Sequence, residues 1–291
     1  MRLRYRGRAM HPAGPLADPP AGAPWDVDFA RCPFALLDCE MTGPSPDRDA
    51  LVEIAVTRVE GGRVVDAFAS RVRSEVPSSP GALALHGLDA TQLADAPAFA
   101  EVAPRVAALL EGAVPVAHGF ELDQAFLARA FAAEDIEVTL PFMLDTVQLA
   151  RRAVHAHGYG LAAVCAKLSL GAWRWHRAEE DVRAVHRLFE HLVGVFRPST
   201  ARELWEVRVG QHGPVRVRAS LEAFFTRYAS SGRPVTLQVR TPGHDPTSLV
   251  ARIDRYLRPH LHLTLGARGR RPTRVLRADR VLRAEDGAAP G

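Results

Sequence analysis

The run Phe34-Ala35-Leu36-Leu37-Asp38-Cys39-Glu40 constrains this chain more than any other stretch. Four apolar residues in succession read as a buried strand, and the strand ends on two acids two residues apart. Side chains at i and i+2 of a strand leave the same face, so Asp38 and Glu40 stand side by side. Two carboxylates that close raise one another's pKa unless a cation lies between them. Hard oxygen donors of this kind suit Mg²⁺ or Mn²⁺ better than zinc. Taken alone, the pair reads more simply as a capped strand end with solvated acids.

The pattern downstream sets the fold class. Leu51–Val59 and Val64–Val72 flank Gly61-Gly62, which predicts an antiparallel hairpin with a glycine turn. Residues 97–111 and 121–134 have helical spacing, with a short strand, Val114–Ala117, between them. Met143-Leu144 reads as a brief strand before a helix starting near Thr146, and 178–196 as a helix with the apolar stripe Val182, Val185, Phe189, Leu192 and Val193. Three strands, then alternating helices and strands, then a closing helix give an α/β domain: a mixed five-stranded sheet flanked by helices, over residues 31–197.

Two further segments carry acids into this frame. Val116-Ala117-His118-Gly119-Phe120-Glu121-Leu122-Asp123 puts Asp123 in the first turn of a helix directly after a strand. There it would also complement the helix N-terminus, as Glu121 does. His176-Arg177-Ala178-Glu179-Glu180-Asp181 puts a histidine five residues before an acid that borders the buried stripe, where a carboxylate requires a partner. Glu179 and Glu180 read as a solvated helix start. Trp173 and Trp175, around Arg174, either stack on unpaired bases or anchor the His176 segment to the body, the second being the simpler role.

Asp-x-Glu on the first strand, Asp after a later strand and His-x4-Asp near a closing helix together resemble the DEDDh family of 3′–5′ exonucleases. Leu85-His86-Gly87-Leu88, Thr91, Leu93, Ala96-Pro97, Leu144-Asp145-Thr146 and Leu149-Ala150-Arg151 add to the likeness. The resemblance implies a ribonuclease H-like fold. It implies that Asp38, Glu40, Asp123 and Asp181 bind two divalent metals, Mg²⁺ or Mn²⁺, with His176 as the general base that takes the proton of a water. It implies a terminal nucleotide held near Met41, Thr42 and His86, and nucleoside 5′-monophosphates as products. Met41 stands where proofreading members often have Thr, which is similar to the oligoribonuclease branch, while His-Arg-Ala before Asp181 is closer to the proofreading branch. Gly119 stands where Asn is common.

The remainder of the chain differs in charge. Residues 198–291 hold 17 arginines against eight acids, whereas residues 1–197 hold 20 basic and 25 acidic residues. A basic section on an acidic body favours a polyanionic partner, nucleic acid first; the exonuclease resemblance implies that this partner is the 3′ end of single-stranded DNA or RNA. The chain has one lysine and no asparagine, so arginine in place of lysine carries little weight; the segregation of sign does. Val215–Val217, Val235–Val239, Leu261–Leu265 and Arg274–Leu276 read as strands, with one helix near 219–230. Residues 198–291 therefore form a smaller, mainly β domain. Its ending, Arg274 to Leu282, resembles that of WYL domains, although the naming triplet is absent. That likeness implies that Arg274, Arg277 and Arg280 contact nucleic acid or an anionic regulator.

Residues 1–30, rich in Pro, Gly and Ala, read as a flexible leader, with Met10 as an alternative start to Met1. No run approaches the ~18 apolar residues of a membrane span. Three cysteines without a CxxC pair argue against a disulfide framework, so a cytoplasmic location is expected. Two functions stand: a metal-dependent 3′–5′ exonuclease, with a DNA polymerase or repair protein as a possible partner, or a non-catalytic nucleic-acid-binding protein on the same scaffold.

Overall fold

The computed structural model describes residues 18–138, 140, 142–171, 173–207, 217–241, 243–265 and 273–287. Five strands form the first sheet: β1 (Phe34–Met41), β2 (Leu51–Glu60), β3 (Arg63–Arg71), β4 (Val114–Ala117) and β5 (Leu144–Asp145). Their order is β3-β2-β1-β4-β5. The β1–β2 and β2–β3 pairs are antiparallel, and β1–β4 and β4–β5 are parallel. This is the mixed sheet expected from the strand order. Gly61 and Gly62 take φ +57° and +72°, the left-handed pair that lets a two-residue turn follow the strand twist.

Both faces of the sheet are covered, because β1 alternates between two cores. Phe34 and Leu36 pack into one core, Ala35, Leu37 and Cys39 into the other. The second core is closed by α3 (Phe99–Leu110) and α4 (Glu121–Ala133). The first is closed by α5 (Thr146–Ala153), α6 (Leu161–Lys167) and α7 (Ala178–Phe196). Asp38 and Glu40 continue the Phe34–Leu36 face, the one that α7 covers. Two short helices, α1 (Pro80–His86) and α2 (Ala90–Leu93), follow β3. The α1 start is built by a Ser79 cap on the Ala82 amide with Pro80 behind it.

The second unit is a five-stranded antiparallel sheet preceded by a helix. After α8 (Ala201–Glu206) comes α9 (Ala219–Tyr228), then β6 (Pro234–Val239), β7 (Thr247–Leu257), β8 (His260–Leu265), β9 (Thr273–Arg277) and β10 (Val281–Asp286). Strands β6 to β9 form a meander, and β10 returns to pair with β6. The sequence pattern misses β7, whose inward Ala251 and Ile253 alternate with Arg252 and Asp254 and so dilute the apolar signal. Part of the expected strand Val215–Val217 lies outside the described residues.

Two expected boundaries differ from the packing. Within the expected leader, residues 1–17 lie outside the described residues, but Trp25 is buried in the first core, edge-on to Trp205. Asp26 pairs with Arg202. Proline-rich composition hid one large aromatic anchor. At the other junction, Ala201, Leu204 and Trp205 of α8 also belong to the first core, so the body runs past 197. The two units are then tied by Arg218, buried against Glu203 at 3.8 Å and donating to the carbonyl of Phe196 at 2.8 Å and to that of Leu282. Among the described residues, no helix is long and apolar enough to cross a membrane.

Candidate active site

Strand β1 and helix α7 deliver the centre of the site. Glu40, His176 and Asp181 each offer a ligand atom, and these atoms lie within 4.8 Å of one another. Asp181 is on the buried stripe of α7, one turn before Val185, and is 7% exposed. Its Oδ2 accepts the amide N–H of His176 at 2.9 Å. Its Oδ1 is buried with no hydrogen-bond partner among the described residues. His176 takes φ +63°, a left-handed conformation uncommon for a side-chain-bearing residue. That turn swings the histidine back over the N-terminus of its own helix.

Asp38 and Asp123 join through their fields. Asp38 is pushed well above the ordinary carboxylate range, by desolvation first and then by repulsion from Asp123, Glu40 and Asp181. Glu40 is raised to about 8, by desolvation and then by Asp181, Glu53 and Asp123. Asp123 is raised to about 7 by desolvation, opposed by hydrogen bonds from the backbone and from the Cys39 thiol. Asp181 is also raised by burial. Four carboxylates that resist ionisation together, one with an orphaned buried oxygen, are an oxygen donor set lacking a countercharge. The residues fit a hard divalent cation.

A cation of the protein's own stands at the rim. Glu53 faces Glu40 across the β1–β2 register. Its carboxylate accepts from Arg177 Nε at 3.2 Å to both oxygens and from Arg177 Nη2 at 2.5 Å. It also accepts the Ala178 amide at 2.9 Å, at the first turn of α7. Sequence reasoning did not single out Glu53. The available signal was an acid at the centre of the apolar run Leu51-Val52-Glu53-Ile54, where burial demands a partner.

The residues expected around a terminal nucleotide divide. Met41 is half-buried at the end of β1, after an irregularity that shifts the register between Glu40 and Met41. Thr42 is fully buried, and its hydroxyl accepts from Ala50 at 2.9 Å. Its amide donates to the Ala50 carbonyl, and its carbonyl accepts from Ser79. His86 is 5% exposed; its Nδ1 accepts the Leu88 amide at 2.9 Å, which leaves Nε2–H to donate to the Met41 carbonyl at 3.2 Å. Thr42 and His86 thus brace the Met41 backbone, and their own polar groups are spent on the protein. Trp173 and Trp175 pack against the first core, which is the anchoring role.

The end of β4 is held by a second histidine. His118 bridges Thr146 Oγ1 and the Tyr159 carbonyl, each at 2.8 Å, and burial lowers its pKa to about 4. The neutral ring donates through Nε2 to that carbonyl. Gly119 takes φ +81° and donates to Asp145 at 3.0 Å. Glycine and asparagine are the residues most at ease there, so the departure from Asn keeps the backbone turn. Of the C-terminal arginines, Arg274 and Arg277 lie three apart on β9 and leave opposite faces. Arg277 clasps Asp279 at 3.0 Å.

The Exonuclease family profile, RNase_T, matches residues 36–189, a stretch that contains all five of these acids and His176. The chain belongs to this exonuclease family. It is 28% identical over 185 residues to the PolC-type DNA polymerase III of Thermotoga petrophila, covering 63% of this chain and 13% of that protein. It is 31% identical over 156 residues to the 3′-5′ exonuclease DinG of Staphylococcus epidermidis, covering 53% of this chain and 17% of that protein. The match therefore spans less than a fifth of either relative. In fold, this exonuclease-family chain is similar to E. coli exonuclease I solved in a complex with single-stranded DNA, with a TM-score of 0.53 and 12% identity over 88% of this chain and 65% of the other.

Proposed function

We propose that this protein is a metal-dependent 3′–5′ exonuclease that removes nucleoside 5′-monophosphates from the 3′ end of single-stranded nucleic acid, DNA in preference to RNA. The observation that carries the reading is the convergence of Glu40, His176 and Asp181 within 4.8 Å beside Asp38 and Asp123. Asp38, Glu40, Asp123 and Asp181 would hold two Mg²⁺ or Mn²⁺ ions. When bound, these supply a water of lowered pKa and stabilise the leaving 3′ oxygen.

The chain's own part is positioning and proton transfer. His176, exposed beside the acids, takes the proton of the attacking water at a ring nitrogen. Asp181 orients it through the backbone, and the Arg177–Glu53 pair holds the residue that follows. Met41 meets the base or sugar of the terminal nucleotide, on a backbone braced by His86 and Thr42. Arg274, Arg277 and Arg280 belong to a basic unit that holds the strand beyond the site; a WYL-like identity for that unit is part of the same reading. The PolC-type and DinG relatives support work in DNA replication or repair beside a polymerase or repair partner; a cytoplasmic location belongs to the same proposal.

The test is a 5′-labelled single strand with Mg²⁺ or Mn²⁺, run as matched DNA and RNA. Stepwise shortening from the 3′ end, faster on DNA and abolished by Asp38→Ala, is the expected result. Tight binding without shortening would favour the non-catalytic scaffold.

A further inference from the structure

The seam between the two units holds an open cleft of about 530 Å³. Among the described residues, its wall is built from Arg151 and Arg152 at the end of α5 and from Arg240, Arg277 and Arg280 of the second unit, with Asp279 as the one acid. Five guanidiniums against one carboxylate leave four positive charges in excess. The Asp279 carboxylate is already clasped by Arg277. The hydrogen-bond partners of Arg152 and Arg240 are neutral. Arg152 donates to the Asp279 backbone carbonyl, and Arg240 donates to the carbonyls of Thr241, His244 and Val154. Carbonyls fix where a guanidinium points without cancelling its charge.

Two atoms mark the deficit. The Nε groups of Arg152 and Arg240 are both buried with no hydrogen-bond partner among the described residues. Burial lowers the pKa of Arg152; the attraction of Asp279 opposes this, and repulsion from Arg240, Arg277 and Arg280 adds to it. A buried charge crowded by like charges is costly unless an anion completes the group. A tetrahedral phosphate, with several oxygens and up to two charges, can accept from more guanidiniums at once than a carboxylate can. The cleft is larger than phosphate alone requires. The Tyr159 ring, under Arg151 at 5.6 Å, offers a flat apolar wall beside the charge. The carbonyl of the same Tyr159 receives His118, at the end of β4 five residues before Asp123.

We propose that this interdomain cleft is a phosphate-binding site that takes the phosphate of a nucleotide, with Arg151, Arg152, Arg240 and Arg280 as its donors and Tyr159 against the sugar or base. The anion follows from the arginines alone; the choice of a nucleotide rests on the exonuclease reading. One chemistry has two sources here, a free nucleoside monophosphate or an internal phosphate of the strand. Because the wall is drawn from both units, occupancy would couple their seam to the segment that carries Asp123.

The experiment uses the full chain carrying Asp38→Ala, in EDTA, so that neither cleavage nor metal enters. Inorganic phosphate, thymidine 5′-monophosphate and a 15-nucleotide oligothymidylate are titrated by calorimetry at fixed low salt. Binding of at least one probe is expected, loosened about tenfold or more by Arg280→Ala and by Arg151→Ala, and further by the pair. A response in the monophosphate titration identifies a free nucleotide; a response confined to the oligonucleotide identifies the strand. Should all three affinities stay unchanged in the pair, with an unaltered melting temperature showing that it folds, the site is refuted. Absence of 3′ shortening by the unmodified protein would count against the nuclease alone.

Discussion

The Arg177 guanidinium grips the Glu53 carboxylate with Nη2 at 2.5 Å, immediately after His176 and directly across the sheet from Glu40. One ion pair therefore sets the entry of α7, the position of His176, the proposed general base, and part of the field on Glu40, a proposed metal ligand. Glu53 is 5% exposed, so its charge is little screened.

Glu53→Gln should separate these roles. It keeps the shape and an acceptor for the Ala178 amide but removes a charge that raises Glu40 and frees Arg177, which lowers it. The expected outcome is a Glu40 titration well below about 8 in the metal-free protein, followed by NMR of the side-chain carboxyl. Turnover should fall about tenfold or more through loss of His176 placement, roughly the worth of one charge-assisted hydrogen bond. An unchanged Glu40 titration would contradict this account of the field.

His176→Ala should lower turnover by roughly 10²–10⁴-fold while leaving metal affinity largely intact, as loss of a general base does. Isothermal titration with Mn²⁺ alongside single-turnover cleavage measures both. Because the His176 ring also lies within 4.8 Å of Glu40 and Asp181 ligand atoms, an equal loss of Mn²⁺ affinity would make it a ligand instead.

The clustered acids predict a pH dependence of stability. Glu40 at about 8 and Asp123 at about 7 bind protons more tightly when folded than when unfolded. From about pH 4, where the unfolded carboxylates titrate, the folded state therefore holds more protons, and stability falls as pH rises through 7 and 8. The melting temperature of the metal-free protein should drop between pH 5 and 8.5. Mn²⁺ should raise it more at pH 8 than at pH 5.5, because it supplies the missing charge. Asp38→Asn should blunt both effects, measured by scanning fluorimetry across pH.

The seam predicts where the chain tolerates cutting. Arg218 and Glu203 are both almost wholly buried, and Glu203 also accepts the amides of Ser199 and Ser220. Glu203→Ala should cost about 3–5 kcal/mol, the usual loss when one member of a buried pair is removed. Trp205→Ala should cost about 3–5 kcal/mol as a core aromatic deletion. A chain ending at 197 should accordingly unfold in less denaturant than one ending at 207, read from urea midpoints.

What the sequence determined was the body of the fold and the identity of its acids. The apolar run of β1, the Gly61-Gly62 turn and the stripe on α7 are local signals, because each depends on neighbours within a few residues along the chain. The Asp-x-Glu and His-x4-Asp spacings are local signals of the same kind, and Glu40, His176 and Asp181 come together in the fold. Tertiary structure alone decided the rest. Glu53 meets Arg177 across 124 residues, Thr42 and His86 turn inward to brace Met41, and Trp25 finds Trp205. The five arginines of the cleft come from α5 and from a second unit whose nearest member, Arg240, lies more than 80 residues away, so no window of sequence holds them together. Burial, register and the summed field of distant charges arise only once the chain has closed on itself, and they set which side chains are free to meet a ligand.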